Sequence, residues 1–149
     1  MDRLWAPWRT KYIQKIHSIK KCIFCKRNSK KDKNEFVIKR NIHCFAILNL
    51  YPYNNGHVLI APYRHLSDLE LLHKEEISDI MDLVKETISV LKKILKPSGF
   101  NVGINLGRCA GAGFTEHMHI HIVPRWNGDA NFMPVISSAK VISESLEEL

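Results

Sequence analysis

Five short segments of the chain carry the hydrophobic pattern of β-strands, either as strict alternation or as a compact apolar run. The second and third of them flank residues 51–56, where one proline, two asparagines and a glycine form a strong turn signal. We therefore expect these two strands to pair in antiparallel fashion. The five predicted strands are residues 36–40, 44–49, 57–62, 101–105 and 117–123.

One long helix is predicted between the third and fourth strands, because apolar residues recur there at helical spacing and form a single stripe. The stripe consists of Ile77, Ile80, Met81, Val84, Ile88, Leu91, Ile94 and Leu95. Lysines crowd the last turn, where the helix dipole favours cations, and Pro97 and Gly99 end the helix.

The ends of the chain carry weaker signals. Residues 1–20 contain two tryptophans and a proline and are predicted to form an ordered N-terminal arm. Val141, Ile142 and Leu146 predict a short C-terminal helix.

The order of these elements, strands, one long helix and strands again, predicts an α+β fold. We expect an antiparallel sheet of about five strands with the helix packed on one face. A length of 149 residues fits a single domain over residues 1–149. An apolar fraction of 45% with 25% charged residues argues against wholesale disorder.

Targeting signals are absent from the sequence as it stands. No run approaches the ~20 apolar residues of a membrane span, and the first residues lack the apolar core of a signal peptide. We therefore expect a cytoplasmic protein with no membrane partner.

The net charge of +7 is concentrated near the N-terminus, since ten of the 22 Lys and Arg residues lie between Arg9 and Lys33. Such a segment could contact a polyphosphate or a nucleic acid. A solvated surface is the commoner role of a charge run, so we do not expect a nucleic-acid partner.

Cys22 and Cys25 have the C-x-x-C spacing with which two thiolates hold one Zn²⁺. Redox pairs share this spacing, but they open a helix within a βαβ unit, which this sequence does not predict. A closed structural zinc site needs two more ligands, and the spacing does not say which histidines supply them. The candidates are His17, His43, His57, His65, His73, His117, His119 and His121.

Three histidines, His117, His119 and His121, alternate with apolar residues on the last predicted strand. Alternate side chains of a strand project to the same face, so the three imidazoles project together. The outer two stand about 13 Å apart at roughly 3.3 Å per residue. One zinc ion, with bonds of about 2 Å, cannot take all three. The three histidines must therefore have different roles. A neutral imidazole is a suitable nucleophile or general base near neutral pH.

A glycine-rich loop at residues 107–113 precedes this row. Glycines let backbone N–H groups approach a phosphate closely, so the loop is a candidate anion site. A glycine-rich loop alone is weak evidence, and the adjacent histidines strengthen it.

The segment His117-Met118-His119-Ile120-His121-Ile122-Val123 resembles the signature of the histidine triad (HIT) family. Residues 49–62 are similar to the paired strands and Gly-His turn of that family. Residues 4–9, 101–107 and 124–132 are similar to the bacterial branch that includes diadenosine tetraphosphate phosphorylases.

This resemblance implies a HIT-like fold, a nucleotide substrate and cleavage of diadenosine polyphosphates at an α-phosphorus. His119 matches the nucleophile, which forms a covalent nucleotidyl-histidine intermediate. His121 and His57 match positions that bind phosphate oxygens and the leaving group. Asn49 matches a position near the ribose. Asn105, with Gly111, Ala112 and Gly113, matches the phosphate loop.

The resemblance also implies a metal site and an assembly. Zinc-containing relatives hold a structural Zn²⁺ at the positions of Cys22, Cys25, His65 and His117. Family members form homodimers, and we expect one here. Trp126 has two interpretations that stay open: it stacks on an adenine, or it is simply buried.

One departure concerns the acceptor of the nucleotidyl group. Many relatives carry Gln-Ser where this chain has Gly113 and Phe114, so backbone N–H groups must replace a side-chain phosphate donor. The phosphorylase-like branch also lacks that glutamine, which favours inorganic phosphate over water. Two alternatives stay open: a hydrolase of nucleoside phosphoramidates or adenylates, and a zinc-stabilised nucleotide-binding module without turnover.

Overall fold

The computed structural model describes residues 22–25, 32 and 35–129, so the predicted N-terminal arm and C-terminal helix lie outside the described residues. The described part contains five strands and one long helix, and the predicted α+β architecture is confirmed there. The elements are β1 (Val37–Arg40), β2 (Cys44–Leu48), β3 (Val58–Pro62), α1 (Lys74–Leu95), β4 (Gly99–Ile104) and β5 (Ile120–Arg125).

The five strands form one antiparallel sheet in the order β1-β2-β3-β5-β4. The predicted pair of β2 and β3 is confirmed, with Phe45 opposite Ala61. The last strand in the chain, β5, lies between β3 and β4, with Leu59 and Gly103 on either side of His121. This insertion brings the histidine row from the end of the sequence to the interior of the sheet.

The sheet has a helix side and an open side. The helix packs against β2, β3 and β5, and alternation along the strands divides the buried residues between the two faces. The helix side contains Cys44, Ala46, Val58, Ile60, Met118, Ile120 and Ile122 with Ile80, Leu83, Val84 and Leu91 of α1. The open side contains Val37, Phe45, Ile47, Leu59 and Ala61, with Phe24 packed on them.

The helix begins where Glu76 accepts a hydrogen bond from the backbone N–H of His73, at 2.8 Å. Arg64 also donates two hydrogen bonds of 2.7 Å to the Glu76 carboxylate, which ties the segment after β3 to the first turn. The helix ends at Leu95, and the next residue, Lys96, caps it with a left-handed φ of 48° before Pro97. Across the described ranges, no helix is both long enough and apolar enough to cross a membrane.

The strand ladder of β5 starts later than the sequence pattern predicts. Ile120 pairs with Ile60, but the two preceding histidines are outside the ladder. The reason lies in the partner strand, because β3 ends at Pro62, which has no N–H to donate. The backbone N–H of Met118 instead donates to the carbonyl of Leu66, at 2.7 Å.

Candidate active site

Four side chains converge at one end of the histidine row. The ligand atoms of Cys22, Cys25, His65 and His117 all lie within 4.8 Å of one another. The Cys22 Sγ to His117 Nδ1 distance is 3.4 Å, and Cys25 Sγ lies 3.3 Å from Nδ1 of His65 and 3.7 Å from Nδ1 of His117. Tetrahedral zinc with ordinary Zn–S and Zn–N bonds separates its sulfur and nitrogen ligands by roughly 3.6 Å. The cluster can therefore hold a metal ion.

The hydrogen bond of His117 fixes which nitrogen faces this cluster. Its Nε2–H donates to the carbonyl of Pro62 at 2.9 Å, so in the neutral ring Nδ1 carries the lone pair. Burial lowers the pKa of His117 to about 4, which keeps the ring neutral. The unprotonated Nδ1 of this neutral imidazole faces two thiols. His117 therefore has both the protonation state and the position of a metal ligand.

His119 is fixed in the tautomer that a nucleophile requires. Its Nδ1–H donates to the carbonyl of His117 at 2.9 Å, which leaves the lone pair on Nε2. The side chain is buried, and this burial lowers the pKa of His119 below its ordinary value, against the opposing effect of that hydrogen bond. The ring is thus a neutral imidazole with one available nitrogen.

His57 and His121 form a directed hydrogen-bonded pair. The backbone N–H of Tyr53 donates to Nδ1 of His57 at 3.0 Å, so the neutral ring carries its proton on Nε2. That Nε2–H donates to Nδ1 of His121, also at 3.0 Å. His121 must then carry its own proton on Nε2, and this buried atom has no hydrogen-bond partner among the described residues. Burial, and secondarily the nearby His119, lower the pKa of His121 to about 4.

Gly56 permits this placement of His57. It adopts a φ of +67°, and a Cβ at this position would lie 2.4 Å from Leu95 Cδ1 and 3.2 Å from Pro124 Cγ. The turn therefore runs close beneath the end of α1, and a side chain would push it away.

The rings of the site form a continuous row across the open side of the sheet. Neighbouring ring centroids are between 4.8 and 5.6 Å apart. In order, the rings are Tyr53, His121, His119, Phe24, His117 and His65. The row connects the metal cluster at one end with the hydrogen-bonded histidine pair at the other.

An apolar pocket opens beside His119 and His121. Asn49 lines it, as the resemblance implies, and Gly113 is the member of the glycine-rich loop that reaches it. Sequence reasoning missed the remaining walls. These are Ile23, Phe24, Ile47, Leu48, Leu50, Tyr51, Tyr53, Leu59 and Phe114. A usable signal was the apolar pair between Cys22 and Cys25, since apolar residues that flank metal ligands need a surface to pack on.

Other predicted substrate-binding residues do not line this pocket. The N–H groups of Gly111 and Ala112 donate within their own loop, to Arg108 at 3.1 Å and to Gly107 at 3.3 Å. Asn105 likewise lies outside the lining residues. Trp126 follows the far end of β5, roughly 16 Å along the strand from His121, and is half-buried in a turn closed by Asp129. Their contacts with a substrate stay predictions.

The site therefore combines three functions in one row. One end can hold a metal ion, the middle offers a neutral imidazole nitrogen, and the other end offers an unpaired N–H from a buried imidazole. Such an arrangement suits attack on an electrophile that carries negative charge, since a lone pair and a hydrogen-bond donor lie side by side in an apolar pocket.

Comparison with known proteins gives a consistent result. The family model of the HIT domain matches residues 30–128. A relative from Mycobacterium tuberculosis, named AP-4-A phosphorylase, is 40% identical over 157 residues, which cover 99% of this chain and 80% of that protein.

Solved structures agree in fold. A hypothetical histidine triad nucleotide-binding protein from Sulfolobus tokodaii aligns with a TM-score of 0.66 and 28% identity, covering 85% of this chain and 83% of that one. A Zn-bound histidine triad family protein from Mycobacterium smegmatis aligns with a TM-score of 0.62 and 28% identity. The alignment covers 72% of this chain and 77% of the Mycobacterium smegmatis chain.

Proposed function

Because the chain belongs to the HIT family, we propose that it cleaves diadenosine tetraphosphate by transferring an adenylyl group through His119 to inorganic phosphate. One observation carries the proposal. The ring of His119, with its lone pair on Nε2, lies 4.9 Å from the ring of His121, whose Nε2–H has no partner among the described residues, and both line a pocket with an apolar wall. The name of the 40% identical relative, AP-4-A phosphorylase, supports this choice of substrate.

In the first step, Nε2 of His119 attacks the α-phosphorus of one adenylyl group. A P–N bond forms as the bridging P–O bond breaks, and ATP leaves. Negative charge grows on the leaving oxygen, and the Nε2–H of His121 donates to it. Preorganised donors of this kind stabilise a transition state without reorganising at the moment of reaction. His57 acts behind His121, because it fixes the tautomer in which Nε2 carries the proton.

In the second step, an oxygen of inorganic phosphate attacks the same phosphorus. The P–N bond breaks, ADP leaves and His119 is restored as a neutral imidazole. Phosphate is already anionic near neutral pH, whereas water needs a general base. The polar side chains that line the pocket are Asn49, Tyr51, Tyr53, His119 and His121, with no carboxylate among these described lining residues. His119 is the nucleophile, and Nε2 of His121 carries a proton, so neither imidazole has a nitrogen available as general base for water. This composition favours phosphate as the acceptor.

Zinc is the metal we assign to the cluster of Cys22, Cys25, His65 and His117. Two thiolates and two imidazoles are the donor set of a closed structural site, and a solved relative is described as Zn-bound. A thiolate site of this kind requires reduced cysteines, which is consistent with the expected cytoplasmic location. The ion would fix the position of His117 and so anchor one end of the histidine row.

A homodimer is the assembly we propose. The edge strand β4 presents Val102, which is 47% exposed and lies opposite Ile122 on the helix side of the sheet. Met81 and Ile77 of α1 are exposed large apolar residues as well. Among the described residues β4 pairs only with β5, so its outer edge, with the exposed Val102, is a surface that a second copy can cover by isologous pairing.

The decisive experiment incubates the zinc-loaded protein with diadenosine tetraphosphate, with and without inorganic phosphate, and separates the nucleotides. We expect ATP and ADP in equal amounts with phosphate present. AMP and ATP at an unchanged rate in both samples would instead assign a hydrolase. No turnover with this substrate, together with no labelled histidine from an adenylyl donor, would assign a binding module and reject the proposal.

A further inference from the structure

The buried position of the Phe24 side chain is not required by the metal site alone or by the nucleophile alone. It lies between the two candidate thiolate ligands Cys22 and Cys25, yet its side chain is buried on the open side of the sheet, 3% exposed. The same four-residue segment, which we call the knuckle (residues 22–25), therefore faces the metal cluster with its sulfurs and the nucleotide pocket with its apolar residues.

The ring of Phe24 packs against one residue of the metal cluster and against the candidate nucleophile. Its centroid lies 5.1 Å from that of His117 in the metal cluster and 4.8 Å from that of His119. It also meets Phe114 across the pocket, edge to face, at 6.1 Å. Ile23 lines the same pocket. Two adjacent knuckle residues thus form a wall of the pocket, and one of them packs on the imidazole that attacks.

The knuckle is attached to the sheet from two directions. The sulfurs reach His65 and His117, which belong to the segment after β3 and to the segment before β5. Phe24 packs on Phe45 and Leu59 in the apolar cluster of the open side. A metal ion bonded to all four ligands would fix Cys22 and Cys25 and, with them, the position of the ring between them.

We propose that Phe24 is a positioning residue that couples metal occupancy of the knuckle to nucleotide binding. The loaded knuckle holds the Phe24 ring against His119 and completes the pocket wall. Loss of the metal frees the ring, so the nucleotide loses a wall and His119 loses a packing partner. The coupling is reciprocal, because a bound nucleotide that packs on this wall must tighten metal binding by the same factor.

The test is a thermodynamic cycle that measures the binding of Zn²⁺ and AMP to the full-length chain. It rests on the proposed function only in the choice of AMP as the nucleotide. AMP affinity is measured by calorimetry with and without Zn²⁺ in the wild type and in Phe24→Leu. We expect metal removal to weaken AMP binding about tenfold or more in the wild type. In Phe24→Leu the loss should shrink to roughly twofold, because the connecting ring is gone.

Two matched variants make the result specific. Phe24→Tyr keeps an aromatic ring and should restore most of the metal dependence. Phe100→Leu removes a ring on the helix side of the sheet, away from the pocket, and should behave as the wild type. Equal metal dependence in wild type and Phe24→Leu would overturn the coupling and leave the ion a purely structural role. No effect of Zn²⁺ on wild-type affinity would overturn it as well.

A second readout needs no nucleotide. Leu59 belongs to the same apolar cluster as Phe24, lies on β3 and is not one of the four metal ligands. Its methyl resonances should shift on Zn²⁺ addition in the wild type and stay nearly constant in Phe24→Leu. If AMP fails to bind the loaded wild type, the coupling to nucleotide binding is overturned, while the product analysis with diadenosine tetraphosphate still decides the proposed function. The Leu59 resonances then show whether the ion positions the Phe24 ring. Unchanged resonances in the wild type would overturn that positioning.

Discussion

Nε2 of His57 lies 3.0 Å from Nδ1 of His121, and this contact determines where the proton of the second ring resides. Because Tyr53 N–H occupies the other nitrogen of His57, the proton order along the pair has a single direction. His121, which lines the pocket, thereby keeps a proton on Nε2, and this atom has no hydrogen-bond partner among the described residues. The contact between two buried imidazoles thus leaves His121 with an N–H that, in the proposed mechanism, donates to a phosphoryl oxygen.

Replacing His57 by alanine should test this relationship. His121 would lose the donor to Nδ1 and could adopt the tautomer that leaves Nε2 without a proton. We expect kcat for diadenosine tetraphosphate to fall by about 10²-fold, with a smaller change in KM. Steady-state kinetics measure this. A His57→Ala protein with wild-type kcat would exclude a role for the pair in leaving-group departure.

His119→Ala should abolish the covalent step while the fold survives. We expect turnover to fall by about 10⁴-fold or more, and no label from an α-³²P-labelled adenylyl donor should remain on the denatured protein. His43→Ala is the matched control, since His43 lies in the β1–β2 turn outside the pocket. Near-native activity in the His119 variant would reject the nucleophile.

One Zn²⁺ per chain should copurify with the wild-type protein, and Cys25→Ala should lose it. Breaking a four-ligand site removes binding free energy that also stabilises the fold, so the melting temperature should drop as well. Metal analysis and thermal unfolding measure the two effects. Cys109→Ala removes an exposed cysteine outside the cluster and should change neither. Full zinc content in Cys25→Ala would argue against the assigned ligand set.

The Arg64–Glu76 ion pair should make the protein sensitive to acid. Hydrogen bonds from Arg64 lower the pKa of Glu76 from 4.5 to about 2. A carboxyl whose pKa is lower in the folded state adds stability above pH 4.5, and this stability is lost as pH falls toward 2.

Glu76→Gln should therefore cost on the order of 2 kcal/mol at pH 7, since Glu76 is buried although Arg64 is half-exposed. The difference from the wild type should shrink as pH falls toward 2. Urea unfolding at pH 7 and pH 3 measures both. Glu75→Gln, at the exposed neighbouring position, is the control. An equal loss of unfolding free energy in that variant would mean that the Arg64–Glu76 ion pair does not stabilise the fold.

Val102→Asp should convert the proposed dimer to a monomer, because it places a charge on the exposed apolar edge of β4. Analytical ultracentrifugation measures the mass. Ile42→Asp changes an even more exposed apolar residue, 81% accessible, in the turn between β1 and β2 at the opposite edge of the sheet. We expect that variant to keep the wild-type mass. A monomeric wild type would contradict the assembly.

The sequence pattern was a good guide wherever one side chain's direction depends on local period alone. Alternation from His117 to Ile122 correctly predicted that Met118 and Ile120 lie on the face opposite the histidines, and the structure shows that this face packs against the helix. The apolar stripe of α1 predicted its buried side only in part. Ile80, Val84 and Leu91 are buried, whereas Ile77, Met81 and Ile94 of the same stripe are exposed. The pattern did not predict where a strand begins when a partner strand determines that boundary. β5 begins at Ile120 because Pro62 ends the neighbouring strand β3.

By itself, the sequence determined the elements, the two faces of the last strand and, through family resemblance, the residues of the metal cluster and the histidine row. Only the tertiary structure decided that Phe24 packs on His119, that His57 fixes the proton of His121, and that Trp126 lies away from the pocket. The reason is physical. Period and spacing report which way a side chain points on its own element, whereas contacts between residues 95 or 64 positions apart depend on how the elements are arranged in space.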